Sequence, residues 1–438
     1  MYRKLIEQLK KWKNKKDRLP LILKGARQVG KTWLLQEFGK ECFEDVLYIN
    51  FENESNVSSL FEGTIEPNRI IEFLGAIHHR KIKPEKTLII FDEIQEFPRA
   101  LTSLKYFAEQ TPEYAICCAG SLLGVFLHDS VSFPVGKVEF LELNPLTFEE
   151  FLLANNESSL IDVINKTGIQ EIPEIITSRF QDYLKKFFAI GGMPGAVNKW
   201  LNTKDFEEVE KVQRGILDSY TRDFSKHTDK STATKIKYIW ESIPSQLAKE
   251  NRKFIYGVVR DGARAREYED SINWLQDTGL IRKVYRVKRG DKLPLKAYED
   301  LKAFKIYFLD VGLLRVMCEL SYETIVNGNE IYNEFKGLLT EQFVLQELSD
   351  FDKIKSIYYW SNESLSKVDF VFNYKNLIIP VEAKSGINVK AQSLKNFMQE
   401  YNTELALRFS LLNLIKNNKI LNIPLYIMWN TIKYIDEN

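Results

Sequence analysis

Cysteine is scarce in this chain and forms no pattern: Cys42, Cys117, Cys118 and Cys318 are four among 438 residues, with no C-x-x-C spacing. That excludes a zinc ribbon and a dithiol redox pair, and it predicts reduced, buried thiols in a cytoplasmic protein. A net charge is also missing. Lys and Arg number 61 against 60 Asp and Glu, a formal balance of +1, so no bulk field recruits nucleic acid and any basic surface has to be local. No run of about 18 apolar residues offers a membrane span. The opening MYRKLIEQLKKWKNKK is too charged for the apolar core of a secretory signal. Tyr2, Leu5, Ile6, Leu9 and Trp12 instead recur at helical spacing, which predicts an amphipathic helix packed on the first domain. Internal repeats and low-complexity stretches are absent. With 44% hydrophobic and 28% charged residues over this length, two to four globular domains are expected.

What is present begins at Leu21, where LILKGARQVGKTWLLQEFG reads as an apolar strand, a glycine-bearing loop and a helix. Gly25, Gly30, Lys31 and Thr32 fit G-x-x-x-x-G-K-[ST]. In that motif backbone N–H groups surround phosphate, the lysine reaches the β and γ groups and the hydroxyl binds Mg²⁺. The helix N-terminus adds its own positive field. The predicted ATP-binding set is therefore Gly25, Ala26, Arg27, Gln28, Val29, Gly30, Lys31, Thr32 and Trp33.

A second element supports the first. In KTLIIFDEIQEFP four apolar residues, Leu88 to Phe91, run into Asp92 and Glu93, as a buried parallel strand does when it carries carboxylates to a site at its C-terminal end. Asp92 is expected to hold Mg²⁺ and Glu93 to polarise the attacking water, which argues for hydrolysis rather than nucleotide storage. The next apolar run, YAICCAGSLLG, ends at Ser121. Its hydroxyl either senses the γ-phosphate or caps the following helix.

RLPLILKGARQVGKT, YINFENE, IFDEIQEFPRALTSLKYFAE, CAGSLLG and SFPVGKVEFLELNPLTFEEFL resemble a prokaryotic family of AAA-type ATP-binding proteins with a C-terminal domain of unknown function, DUF4143. YLKKFFAIGGMPGAVNKWL, SYTRDF and FKIYFLDVGLL extend the resemblance over nearly the whole chain. One departure is visible: the family usually has Gly-Arg where this chain has Gly136 and Lys137. If that arginine acts in trans as a finger, Lys137 supplies a point charge without the planar fork. Otherwise the basic residue only pins a loop.

Between about Phe180 and Asp229 the pattern is helical, broken by GGMPG. Further helices then lead to WLQDTGLIRKVYRV, where a helix ends near Gly279 and a strand begins, and KRGDKLP turns the chain back. That order is what a winged helix requires. Its wing is basic, with Arg282, Lys283, Arg286, Lys288, Arg289 and Lys292, and Arg264 and Arg266 open the preceding helix. Such a patch either neutralises DNA phosphates or is a solvated face that packs against protein.

NEFKGLLTEQFVLQELSDF predicts a helix in which Glu341 shares a face with Leu338, Leu345 and Leu348, at about 100° per residue. A carboxylate on an apolar stripe has to be paired or coordinate something. Asp369 lies on a strand of SKVDFVFNYKNLIIPVEAKSG, and Glu382 and Lys384 lie two apart on the next strand, hence on one face. This segment resembles restriction-endonuclease-like folds, in active members of which the carboxylates hold Mg²⁺ or Mn²⁺ and the lysine orients water. Glu and Lys two apart are also common on exposed strands.

The reading is an α/β chain in three parts. Residues 1–178 form a P-loop AAA-type ATPase domain on a parallel sheet, 179–322 a helical connector and winged-helix region, and 323–438 a PD-(D/E)xK nuclease-like domain. Expected catalytic residues are Lys31, Glu93 and Lys384, and expected metal ligands are Thr32 and Asp92 for Mg²⁺ and Glu341, Asp369 and Glu382 for a second Mg²⁺ or Mn²⁺. DNA, a second copy or another protein are the expected partners, and a membrane is not. The function expected is ATP hydrolysis coupled to action on, or regulation by, DNA, the alternative being a nucleotide-dependent protein-binding switch that does not cut.

Overall fold

The computed structural model describes residues 1–121, 133–248, 253–328, 330–362, 366–386 and 392–438. The residues following Ser121, including the helix that it was expected to cap, lie outside that set. The chain divides into two compact units: Met1–Asn144 with Asp277–Leu280, and Pro145–Gln276 with Ile281–Asn438.

The first unit is built on five parallel strands in the order β2-β3-β4-β1-β5. They are β1 (Leu21–Lys24), β2 (Asp45–Asn50), β3 (Thr87–Asp92), β4 (Ala115–Ala119) and β5 (Glu139–Glu142). Every residue of β3 and β4 is buried, as expected of central parallel strands covered on both faces. The four phenylalanines Phe51, Phe61, Phe91 and Phe107 pack edge to face on one side. The expected N-terminal helix spans Leu5–Lys13 and buries Ile6, Leu9 and Trp12, while Tyr2 precedes it and is exposed. Because β4 lies between β1 and β3, the segments leaving these three strands emerge side by side at one edge of the sheet, where such folds place ligands.

The second unit carries an eight-stranded mixed sheet in the order β12-β13-β11-β10-β9-β8-β6-β7. Its strands are β6 (Ile281–Val287), β7 (Glu299–Phe308), β8 (Ile357–Ser361), β9 (Lys367–Tyr374), β10 (Leu377–Ala383), β11 (Ala406–Ser410), β12 (Ile415–Asn417) and β13 (Ile420–Pro424). Helices Glu174–Ile190, Pro194–Thr203 and Phe206–Lys226 appear on either side of GGMPG as the sequence predicts. Helices Lys230–Leu247, Tyr256–Val259 and Ala265–Asp277 followed by the β6–β7 hairpin give the anticipated helix-to-strand order.

In the second unit Phe148 and Phe151 of the helix Phe148–Ala154 pack on Phe187, with Phe148 also on Phe343. In the same unit β6 pairs in parallel with β8 through Tyr285↔Tyr358, Arg286↔Tyr359 and Val287↔Trp360, so the hairpin extends the C-terminal sheet.

Candidate functional site

The loop between β1 and the helix Lys31–Cys42 has the backbone its motif demands. Gly25 has φ 142°, Gln28 φ 68° and Gly30 φ 95°, conformations that side-chain-bearing residues seldom adopt. At Gly25 a Cβ would also overlap the carbonyl oxygen of Leu143. The loop is braced from below by Arg3, a buried residue whose guanidinium donates to Val29 O at 3.0 Å and to Asn144 O at 2.5 Å. Nothing in the local sequence marked Arg3, since its targets are backbone atoms of distant segments. Trp33, by contrast, points outward and is 41% exposed.

Lys31 is buried, and its Nζ donates to Gly25 O and Ala26 O, both at 2.8 Å. Burial lowers its pKa from 10.5 to about 8, against the pull of Glu93 and Asp92. An anionic ligand beside the ammonium raises that value again, so binding above pH 8 has to take up a proton. Affinity for ATP is therefore expected to fall above pH 8 by up to about tenfold per pH unit. Calorimetry in buffers of different ionisation enthalpy checks this: proton uptake should appear near pH 9 in the wild type and be lost in Lys31→Met.

At the end of β3, Asp92 is buried and collects three donors. Thr32 Oγ1 donates to its Oδ2 at 2.7 Å, Tyr48 OH donates to the same oxygen at 2.8 Å, and the Glu93 amide donates to Oδ1 at 3.1 Å. The hydroxyl and carboxylate that the motif assigns to Mg²⁺ thus meet, offering the hard oxygen donors this ion prefers. Tyr48 was not foreseen. It reaches Asp92 because β2 and β3 lie side by side, with Asn50 opposite Asp92. Burial and the Asp92 contact push its phenol up to about 12, so it remains a donor at physiological pH.

Glu93 follows in left-handed backbone, φ 49° and ψ 43°. Its Oε2 accepts from Gln95 Nε2 at 2.5 Å, from Ser121 Oγ at 3.2 Å and from the Ser121 amide at 3.3 Å. The Ser121 hydroxyl is thus directed at Glu93. Lys137 forms an exposed ion pair with Glu109 at 3.0 Å.

The C-terminal candidates do not converge as three carboxylates. Among the described residues no group of three or more His, Cys, Asp or Glu is placed to hold a metal. Glu341 lies on the buried face of the helix Glu330–Leu348 as expected, but its Oε1 accepts from Lys305 Nζ at 2.9 Å and from Tyr307 OH. Both residues of the ion pair are buried on neighbouring elements, so the lysine offsets the cost of burying the carboxylate. Asp369 Oδ2 accepts from the Ala383 amide at 2.9 Å. Glu382 pairs with Lys384 at 3.1 Å, opposite Arg408 on β11. Burial raises the Glu382 pKa, with Lys384 working against the rise, and its Oε2 is buried without a hydrogen-bond partner among the described residues. Asp369 and Glu382 thus lie on adjoining strands with Lys384 directly after the second, while Glu341 pairs with Lys305.

The basic hairpin is partly self-neutralised. Arg286 pairs with Asp300 at 2.5 Å, Arg289 with Asp291 at 2.8 Å, and Lys283 donates to Asn273 at 2.6 Å.

A family model described as "AAA domain" matches residues 17–152, one for a domain of unknown function (DUF8612) matches 181–324, and one for a domain of unknown function (DUF4143) matches 336–426. No curated protein matches. Among solved structures the chain is similar to a Walker-type ATPase of Pyrococcus abyssi, at 15% identity over 71% of this chain and 94% of that one with a TM-score of 0.43. It is also similar to the Aeropyrum pernix ORC1 protein in complex with DNA, at 13% identity over 72% and 90% with a TM-score of 0.31. A third is the Thermotoga maritima RuvB Holliday junction branch migration motor, at 14% identity over 64% and 89% with a TM-score of 0.30. The first unit thus carries a P-loop ATPase fold with an AAA domain matched at residues 17–152, and a DUF4143 domain is matched at 336–426.

Proposed function

We propose that the first unit binds ATP with Mg²⁺ and hydrolyses it. The supporting observation is the 2.7 Å hydrogen bond from Thr32 to Asp92, which brings two motifs 60 residues apart to one point beside Glu93. In this reading Lys31 exchanges its two carbonyl contacts for β- and γ-phosphate oxygens. The loop amides and helix N-terminus carry the remaining phosphate charge. Thr32 and Asp92 hold Mg²⁺, which neutralises charge on the transferred phosphoryl group. Glu93 takes the proton from the attacking water.

ATP turnover then serves an action on, or regulation by, DNA through the second unit, with the hairpin residues Arg282, Lys288 and Lys292 as candidate phosphate contacts and Asp369, Glu382 and Lys384 as the nuclease-like set. The Lys305–Glu341 ion pair favours a second reading of that set: a nuclease-like fold that engages DNA or a protein without cutting, as a nucleotide-dependent switch. The Lys137–Glu109 pair likewise favours a loop-pinning role for Lys137 over a finger.

One experiment tests these points together. ATP hydrolysis by the purified chain is measured with Mg²⁺ or Mn²⁺, with and without duplex DNA, and the DNA from the same tubes is checked for breaks. Mg²⁺-dependent turnover that falls at least about tenfold in Lys31→Ala supports the ATPase reading, and its absence from the wild type sinks it. DNA stimulation with intact DNA supports the non-cutting form, and breaks abolished by Lys384→Ala support a nuclease. Indifference to DNA with a co-purifying protein moves the partner to protein.

A further inference from the structure

We propose that Gln95 is a positioning residue for hydrolysis, which fixes Glu93 so that one carboxylate oxygen is left to take the proton from water. The inference rests on the reading of the first unit as an ATP hydrolase.

All three recorded hydrogen bonds to the Glu93 carboxylate end on Oε2, and among the described residues none ends on Oε1. The donors arrive from two directions, Ser121 after β4 and Gln95 after β3. Gln95 can reach because Glu93 adopts left-handed backbone and the chain continues as a tight helical turn over Ile94–Glu96, which folds the amide of Gln95 back onto the carboxylate two residues earlier. A flexible carboxylate spends most of its time in orientations useless for proton transfer, and displacing a reacting group by about 1 Å can cost about 10²-fold in rate. Anchoring one oxygen while sparing the other removes that freedom without occupying the basic site.

The Gln95 side chain is held at a local cost. It is 3% exposed, and its Oε1 is buried with no hydrogen-bond partner among the described residues, an arrangement that generally disfavours folding. Turning the amide over would not relieve this, since it would place oxygen against the oxygen of Glu93. A methionine would fill nearly the same volume with no unsatisfied polar atom. Destabilising local features that persist beside reactive groups are characteristic of positions kept for activity.

The test is steady-state and single-turnover ATP hydrolysis by full-length variants, with nucleotide affinity and Tm measured alongside. Gln95→Met is expected to lower kcat by about 10- to 100-fold with KM and ATP affinity within about twofold and with Tm unchanged or raised. Gln95→Glu should be slow at neutral pH, where two carboxylates face each other, and should recover as pH falls and the new side chain becomes a donor, a trend absent from the wild type. In a Glu93→Gln background, Gln95→Met should change the residual rate by less than about twofold, because the two residues act as a unit. Wild-type turnover in Gln95→Met, or an equal loss in both backgrounds together with a lowered Tm, overturns the proposal while leaving the ATPase reading intact. A wild type that binds ATP but never hydrolyses it overturns both.

Discussion

Replacing Glu93 with Gln should reduce ATP turnover by about 10²- to 10⁴-fold, the range that a positioned general base supplies, while Mg²⁺ and ATP binding stay near wild type. The substitution preserves size, and an amide oxygen can still accept from Ser121 and Gln95, so the backbone turn at residue 93 is not disturbed. On the proposed reading, what is lost is the negative oxygen that would take the proton. The bond from Thr32 to Asp92 and the bonds from Lys31 to the loop carbonyls do not involve Glu93. The fluorescence of Trp33, which is 41% exposed and follows Thr32, is expected to report nucleotide binding. Single-turnover hydrolysis followed beside that signal separates the two steps. A variant that binds and hydrolyses ATP at the wild-type rate would place the base elsewhere.

The largest stability effect is expected far from the nucleotide, at Lys305. Lys305→Ala removes the cation from an ion pair whose partners are both below one-tenth exposed, and breaking a buried pair this way costs about 3–5 kcal/mol. Removing both charges should behave differently: Lys305→Met with Glu341→Leu replaces the pair by apolar groups of similar volume, which is commonly neutral or stabilising by about 1–4 kcal/mol. Glu341→Gln should fall between, since its amide oxygen can still accept from Tyr307 and Lys305. Urea unfolding of the four proteins ranks their stabilities directly. The same series tests the metal assignment, because a Glu341 that held Mg²⁺ or Mn²⁺ would make wild-type stability rise with metal and the double variant indifferent to it. The expected result is no metal-dependent difference between them.

How far the sequence could be read depended on how local each signal was. The phosphate loop was legible because its glycines, lysine and threonine are contiguous and their roles are fixed by spacing. The acidic end of β3 was legible because a fully apolar run ahead of two carboxylates marks a buried strand that delivers charge to its C-terminal end. Tyr48 and Arg3 were not, since each acts through strand neighbours or backbone carbonyls that no local pattern specifies. Glu341 was legible on an apolar helical face, while the lysine beside it was not read. The signal that would have found the partner was present: in AFKIYF, Lys305 and Tyr307 alternate within an otherwise apolar strand, and a lysine pointing into a core requires an acid as surely as the acid requires a cation. The β6–β7 hairpin was read correctly as an element and incompletely as a neighbour, because its pairing with β8 joins segments some seventy residues apart and depends on register alone.

The turn at GGMPG shows what such distant dependence implies over evolutionary time. Asp310, wholly buried, accepts from the Gly192 amide at 2.6 Å and the Leu313 amide at 3.0 Å, and a methyl group on Gly191 would overlap its carboxylate. A methyl on Gly312 would in turn collide with the amide of Gly191. The neighbouring Arg315 donates to Gln213 at 2.8 Å and Glu210 at 2.9 Å, and Gln213 donates to the carbonyls of Ala189 and Ile190. Segments that look like independent motifs are therefore held by one set of contacts, and a substitution at 191 or 192 is expected to require a matching change near 310. Recombination between homologues with a breakpoint in the intervening hundred residues should yield mismatched, poorly folding hybrids far more often than breakpoints outside that interval.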